Sequence, residues 1–347
     1  MIIDEILEEC AKKNASDIHL KEWEDILFRV HGELTKSSTG VRPNKAMMAE
    51  IFTILLYSNS ERLAYFNKNL ELDFWYVHTD KSVYRWNAFV FMGKVGLALR
   101  RIPENIQNLV ELEVPKSIKN ILQAKQGLFL VTGPTWSGKS TTMASMLDAI
   151  NEFRSEMILT IEDPIEYIFK NKKSVIIQRE VGRDTQSFGR AIRAAMREDA
   201  DIIMIGEIRD AETMETALSL AETGHFVIST LHTAGSVQTI SRMIQFFPTA
   251  IETQIRTRIA ESLIGVLSQR LVPRIDGLWG RIAIREIMYC TSAIRNLIHK
   301  WDSTQIPNVI ETSTEEGMIT MKKYATSLKD RWIIEEKSYA GYFTNDH

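Results

Sequence analysis

The residues best suited to chemistry stand in one short segment, Gly133 to Ser140, which reads G-P-T-W-S-G-K-S. The segment fits the pattern G-x-x-x-x-G-K-[ST] at every fixed position. An apolar run at 128–131 precedes it, and a stretch with helical apolar spacing at 141–150 follows it. A strand, a glycine loop and a helix in this order predict a P-loop, which binds the phosphates of a nucleotide.

Each fixed residue type of this loop has a physical reason. Gly133 and Gly138 let the backbone approach an anionic polyphosphate closely, and the following helix directs its positive end toward it. Lys139 supplies a point charge to the β- and γ-phosphates, and the Ser140 hydroxyl can hold Mg²⁺. The predicted cofactors are therefore ATP and Mg²⁺, and the predicted nucleotide-binding residues are Gly133, Pro134, Thr135, Trp136, Ser137, Gly138, Lys139, Ser140 and Thr141.

Trp136 is the unusual residue of the loop, because P-loops often have a further glycine at this position. A tryptophan does not easily adopt a positive φ. The sequence therefore leaves two alternatives, a right-handed backbone at Trp136 or a shifted or strained loop.

A second chemical group follows the apolar run at 202–205, where Glu207 stands after a glycine. In doubly wound sheets, ligands bind at the carboxyl ends of the strands. Glu207 is therefore predicted to lie near the γ-phosphate and to orient and deprotonate the attacking water. The alternative is a solvated glutamate at a helix start.

Two adjacent carboxylates, Glu162 and Asp163, end another predicted strand. Such residues can hold Mg²⁺ through water or polarise the nucleophile, and both are candidate catalytic residues, with Glu162 also a candidate metal ligand. A helix N-cap is the alternative for Asp163. Two histidines bracket a further strand: His232, at its carboxyl end, is predicted to sense the γ-phosphate, and His225 to make a structural hydrogen bond.

Composition narrows the class of protein. The 347 residues are 44% hydrophobic and 25% charged, as in ordinary globular proteins, and the net charge of −3 gives no reason to expect a nucleic-acid partner. Cys10 and Cys290 are far apart and form no C-x-x-C pair, so no zinc site is indicated. No apolar run approaches the roughly 18 residues of a membrane-spanning helix, and the first residues lack a basic leader. A cytosolic protein with at most peripheral membrane association is expected.

The order of predicted elements favours an α/β protein with two domains. Short strands around a helix at 44–57 predict a small α+β domain over residues 1–104, followed by a polar linker at 105–115. From residue 116, continuous apolar runs alternate with helical stretches, which predicts a mainly parallel sheet buried on both faces. The chain is expected to be largely helical from about residue 287.

Four strings in the second domain closely resemble motifs of the secretion ATPase superfamily, the GspE/PilT family. They are G-P-T-W-S-G-K-S-T-T at 133–142, I-E-D-P-I-E at 161–166, the run from Met196 to Asp210, and T-G-H-F-V-I-S-T-L-H-T at 223–233. They correspond to the Walker A, Asp-box, Walker B and His-box segments of that family. Further similarity lies at A-S-D-I-H-L (15–20) and S-Q-R-L-V-P-R (268–274), and A-I-R-N-L-I (293–298) resembles a segment of the PilT-like pilus retraction branch.

This resemblance implies a fold, an assembly and partners. It implies an N-terminal PAS-like domain, a RecA-like ATPase domain, and a homo-hexamer at the cytosolic face of the bacterial inner membrane. The implied partners are the pilus machinery and its inner-membrane platform protein. Family arginines of the N-terminal domain complete the nucleotide site, and Arg85 and Arg100 stand at the matching positions, where positive charge would neutralise the phosphoryl transition state. The alternative is that these arginines are only solvated or salt-bridged.

The implied function is ATP hydrolysis that powers type IV pilus retraction and twitching-type motility. The retraction segment at 293–298 and the missing four-cysteine motif favour retraction over a pilus extension or type II/IV secretion ATPase. Two other classes stay open: a weakly hydrolysing, nucleotide-sensing accessory subunit, to which Trp136 points, and a RecA-like nucleic-acid translocase, against which the near-neutral charge argues.

Overall fold

The computed structural model describes residues 2–30, 32–56, 59–103, 105–276 and 280–337. The chain divides into two compact units, Met1–Asn105 and Ile106–His347. In the described ranges, none of the helices combines the length and apolar character needed to cross a bilayer.

The first unit is a six-stranded antiparallel sheet with helices packed on one face. Its strand order is β3-β2-β1-β6-β5-β4. Alternation of buried and half-buried side chains along β5 leaves Tyr84 and Trp86 in the core and Arg85 on the opposite face. The elements are α1 (Ile2–Lys12), β1 (Asp17–Lys21), β2 (Leu27–Val30), β3 (Glu33–Lys36), α2 (Lys45–Leu55), α3 (Ser60–Asn69), β4 (Glu71–Val77), β5 (Val83–Phe91) and β6 (Lys94–Ile102).

The second unit is built on a seven-stranded sheet with the order β13-β12-β7-β11-β10-β8-β9. All neighbouring strands are parallel except β12 and β13. The strands are β7 (Gly127–Thr132), β8 (Met157–Glu162), β9 (Val175–Glu180), β10 (Ile202–Ile205), β11 (Phe226–Leu231), β12 (Leu263–Pro273) and β13 (Arg281–Tyr289). Every residue of β7, β10 and β11 is buried, which confirms the prediction of a parallel sheet covered on both faces.

Nine α-helices accompany this sheet in the described residues: α4 (Lys119–Leu122), α5 (Lys139–Phe153), α6 (Phe188–Ala195), α7 (Ala211–Glu222), α8 (Ser236–Gln245), α9 (Glu252–Ser262), α10 (Ser292–Lys300), α11 (Ile306–Thr312) and α12 (Met321–Asp330). Several of these helices have a side-chain N-cap. At the start of α7, for example, the Asp210 carboxylate accepts a hydrogen bond from the Thr213 amide at 2.8 Å. The strand β13 runs to Tyr289, so the helical region begins at Ser292 rather than at about 287.

Of the linker predicted at 105–115, residues 106–115 lie in the second unit. Tyr324 and the buried Arg285 donate hydrogen bonds to the Glu113 carbonyl, and Arg331 forms a bidentate ion pair with the Glu113 carboxylate at 2.8 and 2.9 Å. Val114 belongs to the hydrophobic core of the unit. These contacts attach the segment to β13 and α12.

Candidate functional site

The sheet topology gathers the predicted site residues at one edge. The strands β7, β11, β10 and β8 are consecutive parallel neighbours, so their carboxyl ends meet. The segments that follow these four ends carry the P-loop, His232, Glu207 and Asp163, and Glu162 closes β8 itself. This is the edge at which ligands bind in open α/β sheets.

The P-loop connects the end of β7 to the first turn of α5, as the sequence predicts. Gly133 and Gly138 have φ values of 149° and 83°, a region that side chains rarely adopt. A Cβ on Gly133 would also lie 2.2 Å from the Gln269 carbonyl oxygen, so no larger residue fits there. The helix α5 begins at Lys139, which places its unpaired amides at the loop.

Trp136 has a left-handed backbone, with φ at 66°. It is the third residue of a turn in which the Ser137 amide donates to the Pro134 carbonyl at 3.3 Å, a position that favours glycine when φ is positive. Its side chain is 73% exposed. Of the two alternatives for this residue, the right-handed one is wrong, and the loop keeps a backbone that costs a non-glycine residue about 1–2 kcal/mol.

Lys139 is buried at the centre of the site. Its ammonium donates to the carbonyls of Gly133 and Pro134 at 2.9 and 3.0 Å and lies 3.4 Å from His232 Nδ1. Burial lowers the pKa of Lys139, while the carboxylates of Glu207 and Glu166 act in the opposite direction. Because burial disfavours the charged form, the ammonium needs nearby hydrogen-bond acceptors. Phosphate oxygens are strong acceptors of this kind.

His232 joins the lysine to the predicted base. Its Nε2 lies 2.8 Å from Glu207 Oε1, and its Nδ1 faces the Lys139 ammonium. Because an ammonium has no lone pair, Nδ1 is the acceptor in that contact, and a neutral ring then carries its proton on Nε2 and donates it to Glu207. Lys139, His232 and Glu207 thus form one hydrogen-bonded chain.

Arg209 completes the surroundings of Glu207. Its Nε donates to Glu207 Oε2 at 2.8 Å, and its Nη1 lies 3.6 Å from Asp163 Oδ2. The hydrogen bond to Glu207 is the main reason for the raised pKa of Arg209. Glu207 therefore has one oxygen on His232 and the other on Arg209, and Asp163 belongs to the same cluster. No α-helix begins at Asp163, so it is not an N-cap.

Glu162 is buried at the end of β8. Its carboxyl accepts hydrogen bonds from Thr160 Oγ1 at 2.7 Å and Gln178 Nε2 at 3.2 Å. Burial raises the pKa of Glu162 to about 7, and the hydrogen bonds from Thr160, Gln178 and the Glu166 amide only partly offset this effect. A carboxyl with this pKa changes charge readily near neutral pH.

Ser140 and Thr141 lie in the first turn of α5, both half-buried. Thr141 Oγ1 lies 2.8 Å from the Tyr167 hydroxyl, whose pKa is raised by burial. His225, at the opposite end of β11, makes the structural hydrogen bond predicted for it, with Nδ1 3.1 Å from the Leu220 carbonyl.

The two candidate arginines lie in the first unit, where they are direct neighbours on β5 and β6. Arg100 Nε donates to Asp17 Oδ1 at 2.9 Å, and Arg85 Nη2 lies 4.0 Å from Asp73 Oδ1. Both arginines point away from the helix-covered face of the sheet, and Arg100 is the more exposed. They form a positively charged pair on the open face of the first unit.

Sequence reasoning missed several residues that the structure places at the site. Arg209, Tyr167 and Gln178 lie within the motif segments or near them, but their partners are visible only in three dimensions. Gln269 contacts the P-loop from 132 positions away. Its only sequence signal is the S-Q-R-L string, to which no role was assigned.

Comparison with known proteins agrees with this geometry. The Type II/IV secretion system protein family matches residues 1–331. This chain belongs to that family. The resemblance drawn from the motifs is confirmed, together with the α/β fold of an N-terminal PAS-like domain and a RecA-like domain.

Individual members of the type II/IV secretion family match nearly the whole chain. The type IV pilus retractation ATPase PilT of Pseudomonas aeruginosa is 40% identical over 338 residues, which cover 97% of each chain. A twitching motility protein of Neisseria gonorrhoeae is 39% identical over 89% of this chain and 81% of its own. A crystal structure of the pilus retraction motor PilT with bound ADP has a TM-score of 0.90 and 39% identity, covering 99% of this chain and 97% of that one.

Proposed function

We propose that this chain hydrolyses ATP to drive the retraction of type IV pili. One observation carries the proposal: the P-loop lysine and the candidate base are joined through His232 in a chain that is 40% identical, over 97% of its length, to a pilus retraction ATPase. The hydrogen-bonded site supports ATP hydrolysis, and the identity to a pilus retraction ATPase is what favours retraction over other uses of ATP.

The proposed chemistry uses the residues of the second unit in distinct roles. Lys139 exchanges its loop carbonyls for oxygens of the β- and γ-phosphates, because charged acceptors form stronger hydrogen bonds than neutral ones. Glu207 orients a water and takes its proton as the water oxygen bonds to the γ-phosphorus, and the bond to ADP breaks. Arg209 and His232 hold the two oxygens of Glu207 in place.

Mg²⁺ fits the donor set at this edge of the sheet. The Ser140 hydroxyl lies next to Lys139, and the Glu162 carboxyl lies at the end of β8, a hydroxyl and a carboxylate of the kind that Mg²⁺ binds directly or through water. Bound there, the ion would neutralise charge on the phosphates. Because the pKa of Glu162 is raised to about 7, a cation nearby would favour the ionised carboxylate.

The proposal extends to assembly and location. We propose a homo-hexamer in which Arg85 and Arg100 of one subunit act at the nucleotide site of a neighbour, since a positive charge stabilises the phosphoryl transition state. The ring would associate peripherally with the cytosolic face of the bacterial inner membrane, through the platform protein of the pilus machinery. No nucleic acid is among the proposed partners.

The decisive enzymatic test is Glu207→Gln, which keeps the size of the side chain and removes the base. ATP turnover should fall at least about 100-fold while Mg²⁺-ATP affinity stays within a few-fold, because general-base catalysis contributes about 10²–10⁴. Steady-state turnover and calorimetric binding measure the two quantities. Wild-type turnover in this variant would refute the assignment of Glu207.

A deletion strain tests the direction of the motor. Excess surface filaments with lost twitching motility are expected, whereas cells without filaments would instead indicate an extension ATPase. A second candidate function, a weakly hydrolysing accessory subunit, is favoured by the left-handed, exposed Trp136. Very low turnover in purified, fully assembled wild-type protein would support that alternative.

A further inference from the structure

The strand β12 extends below the P-loop. It pairs in parallel with β7 through Ser268 and Thr132, the last residue of β7. Gln269, one position further, therefore lies where β7 has already given way to the loop. The string S-Q-R-L at 268–271 thus includes a residue placed against the phosphate-binding backbone.

The Gln269 side chain is almost fully buried and both ends of its amide are occupied. Nε2 donates to the Ser137 carbonyl at 2.8 Å, and Oε1 accepts from the Thr142 hydroxyl at 2.9 Å. A carbonyl oxygen only accepts, so the amide nitrogen must face Ser137 and the amide oxygen must face Thr142. The orientation of the side chain is therefore fixed by chemistry as well as by space.

Gln269 also lies against both glycines of the loop. A Cβ on Gly133 would lie 2.2 Å from the Gln269 carbonyl oxygen, and a Cβ on Gly138 would lie 3.3 Å from its Nε2. The close approach of β12 is a second reason, besides positive φ, for glycine at these two positions.

We propose that Gln269 is a positioning residue for nucleotide binding, which sets the orientation of the peptide between Ser137 and Gly138. In a trans peptide the carbonyl and the N–H point in opposite directions. By holding the Ser137 carbonyl toward β12, Gln269 directs the Gly138 amide away from the strand, to the side where a P-loop binds phosphate. The same contact steadies the turn that keeps Trp136 at a positive φ. This inference rests on the proposed nucleotide-binding function and acts through the loop, without contact between Gln269 and the nucleotide.

The test compares Gln269→Met with the wild type in Mg²⁺-ADP binding. Methionine keeps the length of the side chain but neither donates to Ser137 nor accepts from Thr142. Calorimetry should show Mg²⁺-ADP affinity at least about tenfold weaker, with far-UV circular dichroism unchanged. Trp136 emission without nucleotide, obtained by difference against Trp136→Phe backgrounds, should shift as well. Ser268→Ala is the matched control, because Ser268 precedes Gln269 in β12 and its buried hydroxyl is hydrogen-bonded to Thr132 of β7. This variant should leave both the Mg²⁺-ADP affinity and the Trp136 emission unchanged.

A second variant, Thr142→Val, removes only the donor that holds the Gln269 oxygen. It should weaken Mg²⁺-ADP binding about threefold in the wild type and by nothing further in Gln269→Met, because the two changes break the same contact chain. If Gln269→Met does not fold, Thr142→Val decides by itself. A folded Gln269→Met that binds Mg²⁺-ADP within twofold of wild type overturns the inference. A Thr142→Val protein with wild-type Mg²⁺-ADP affinity overturns it as well. Failure of the proposed motor function is distinguishable, since it would appear as absent ATP turnover in wild-type protein that still binds Mg²⁺-ADP.

Discussion

Glu162 shows how the environment of a single side chain determines its charge. The residue closes β8 and is buried, and its carboxyl accepts hydrogen bonds from neutral donors. These donors stabilise the carboxylate less than water would, so the protonated form is favoured. Burial raises the pKa of Glu162 from 4.5 to about 7. The folded protein therefore holds a proton at a pH where the unfolded chain has released it.

This difference predicts a pH dependence of folding stability. Between pH 4.5 and about 7 the folded state binds the extra proton, so the contribution of Glu162 to stability is complete below this window and decreases as pH rises through it. The loss is on the order of 3–4 kcal/mol, at about 1.4 kcal/mol for each pKa unit. In nucleotide-free protein, Glu162→Gln should gain stability relative to wild type at pH 8 and change little at pH 4.5.

Urea unfolding of both proteins across this pH range measures the effect. The exposed Glu315→Gln is the control and should follow the wild-type curve. A Glu162→Gln protein whose stability difference from wild type is the same at both ends of the range would contradict the assignment.

Trp136 is the second prediction at the residue scale. Its φ of 66° is one that glycine adopts without penalty, and its indole is largely exposed. Trp136→Gly should therefore hydrolyse ATP faster than wild type, with Mg²⁺-ATP affinity equal or tighter. The rival expectation is that the indole supports the loop or stacks on a neighbouring subunit, in which case the glycine variant would be slower. Steady-state kinetics, with assembly followed by light scattering, separates the two; a slower variant of normal size would reverse our interpretation.

At the scale of elements, the central strands were predictable and the outer ones were not. The runs at 128–131, 157–161, 202–205 and 226–229 are continuous and apolar because those strands are buried on both faces. The edge strand β9 has exposed apolar side chains at Val175 and Ile177, and its mixed sequence hides the strand. The helix α3 buries only Phe66, so no apolar periodicity marks it.

The candidate site follows the same division. Lys139, Glu207 and His232 were predictable, because each stands in a local pattern at the carboxyl end of a strand and the sheet rule brings those ends together. The support of the loop by Gln269 was not, because a hydrogen bond across 132 residues leaves no local signal. The backbone of Trp136 was also undecided, since a turn with positive φ is normally recognised by the glycine that is absent here.

The helix α10 carries the prediction that belongs to this scale. Ile294 and Ile298 are buried in the core, whereas Arg295 and Asn296 are exposed. Arg295→Ala with Asn296→Ala should therefore leave folding and ATP turnover nearly unchanged while abolishing pilus retraction, because these two exposed side chains add little to the core and are accessible to the pilus machine. Thermal denaturation, ATPase assays and twitching of a complemented strain measure the three properties. Ile294→Ala is the packing control and should lose about 2–5 kcal/mol of stability; parallel losses of stability and turnover in the Arg295, Asn296 variant would indicate packing alone.

At the scale of the whole molecule, the residues proposed to act in catalysis are divided between the two units of the chain. The P-loop and Glu207 belong to the second unit, and Arg85 and Arg100 belong to the first. Both arginines lie on the open face of their sheet and pair only with nearby carboxylates, Asp73 and Asp17, in the contacts found among the described residues. The Arg85–Asp73 contact is long, at 4.0 Å, and the Arg100 side chain is 55% exposed, so a phosphate can compete with both carboxylates for these arginines.

If the arginines act at a neighbouring subunit's nucleotide, two inactive proteins should complement each other. An Arg85→Ala, Arg100→Ala subunit keeps an intact P-loop, and a Lys139→Ala subunit keeps intact arginines, so some interfaces of a mixed ring contain both halves of a working site. Mixing the two variants should restore ATP turnover above the sum of the separate proteins, because the arginines neutralise charge that develops on the phosphoryl group. Co-purification through a tag on one variant establishes that mixed rings form, and mixing Lys139→Ala with Glu207→Gln is the control, since both changes spoil the same unit and every interface retains a defect there. If mixed rings form but show no gain in turnover, the arginines do not act at a neighbouring subunit's nucleotide and are only charged surface residues of the first unit.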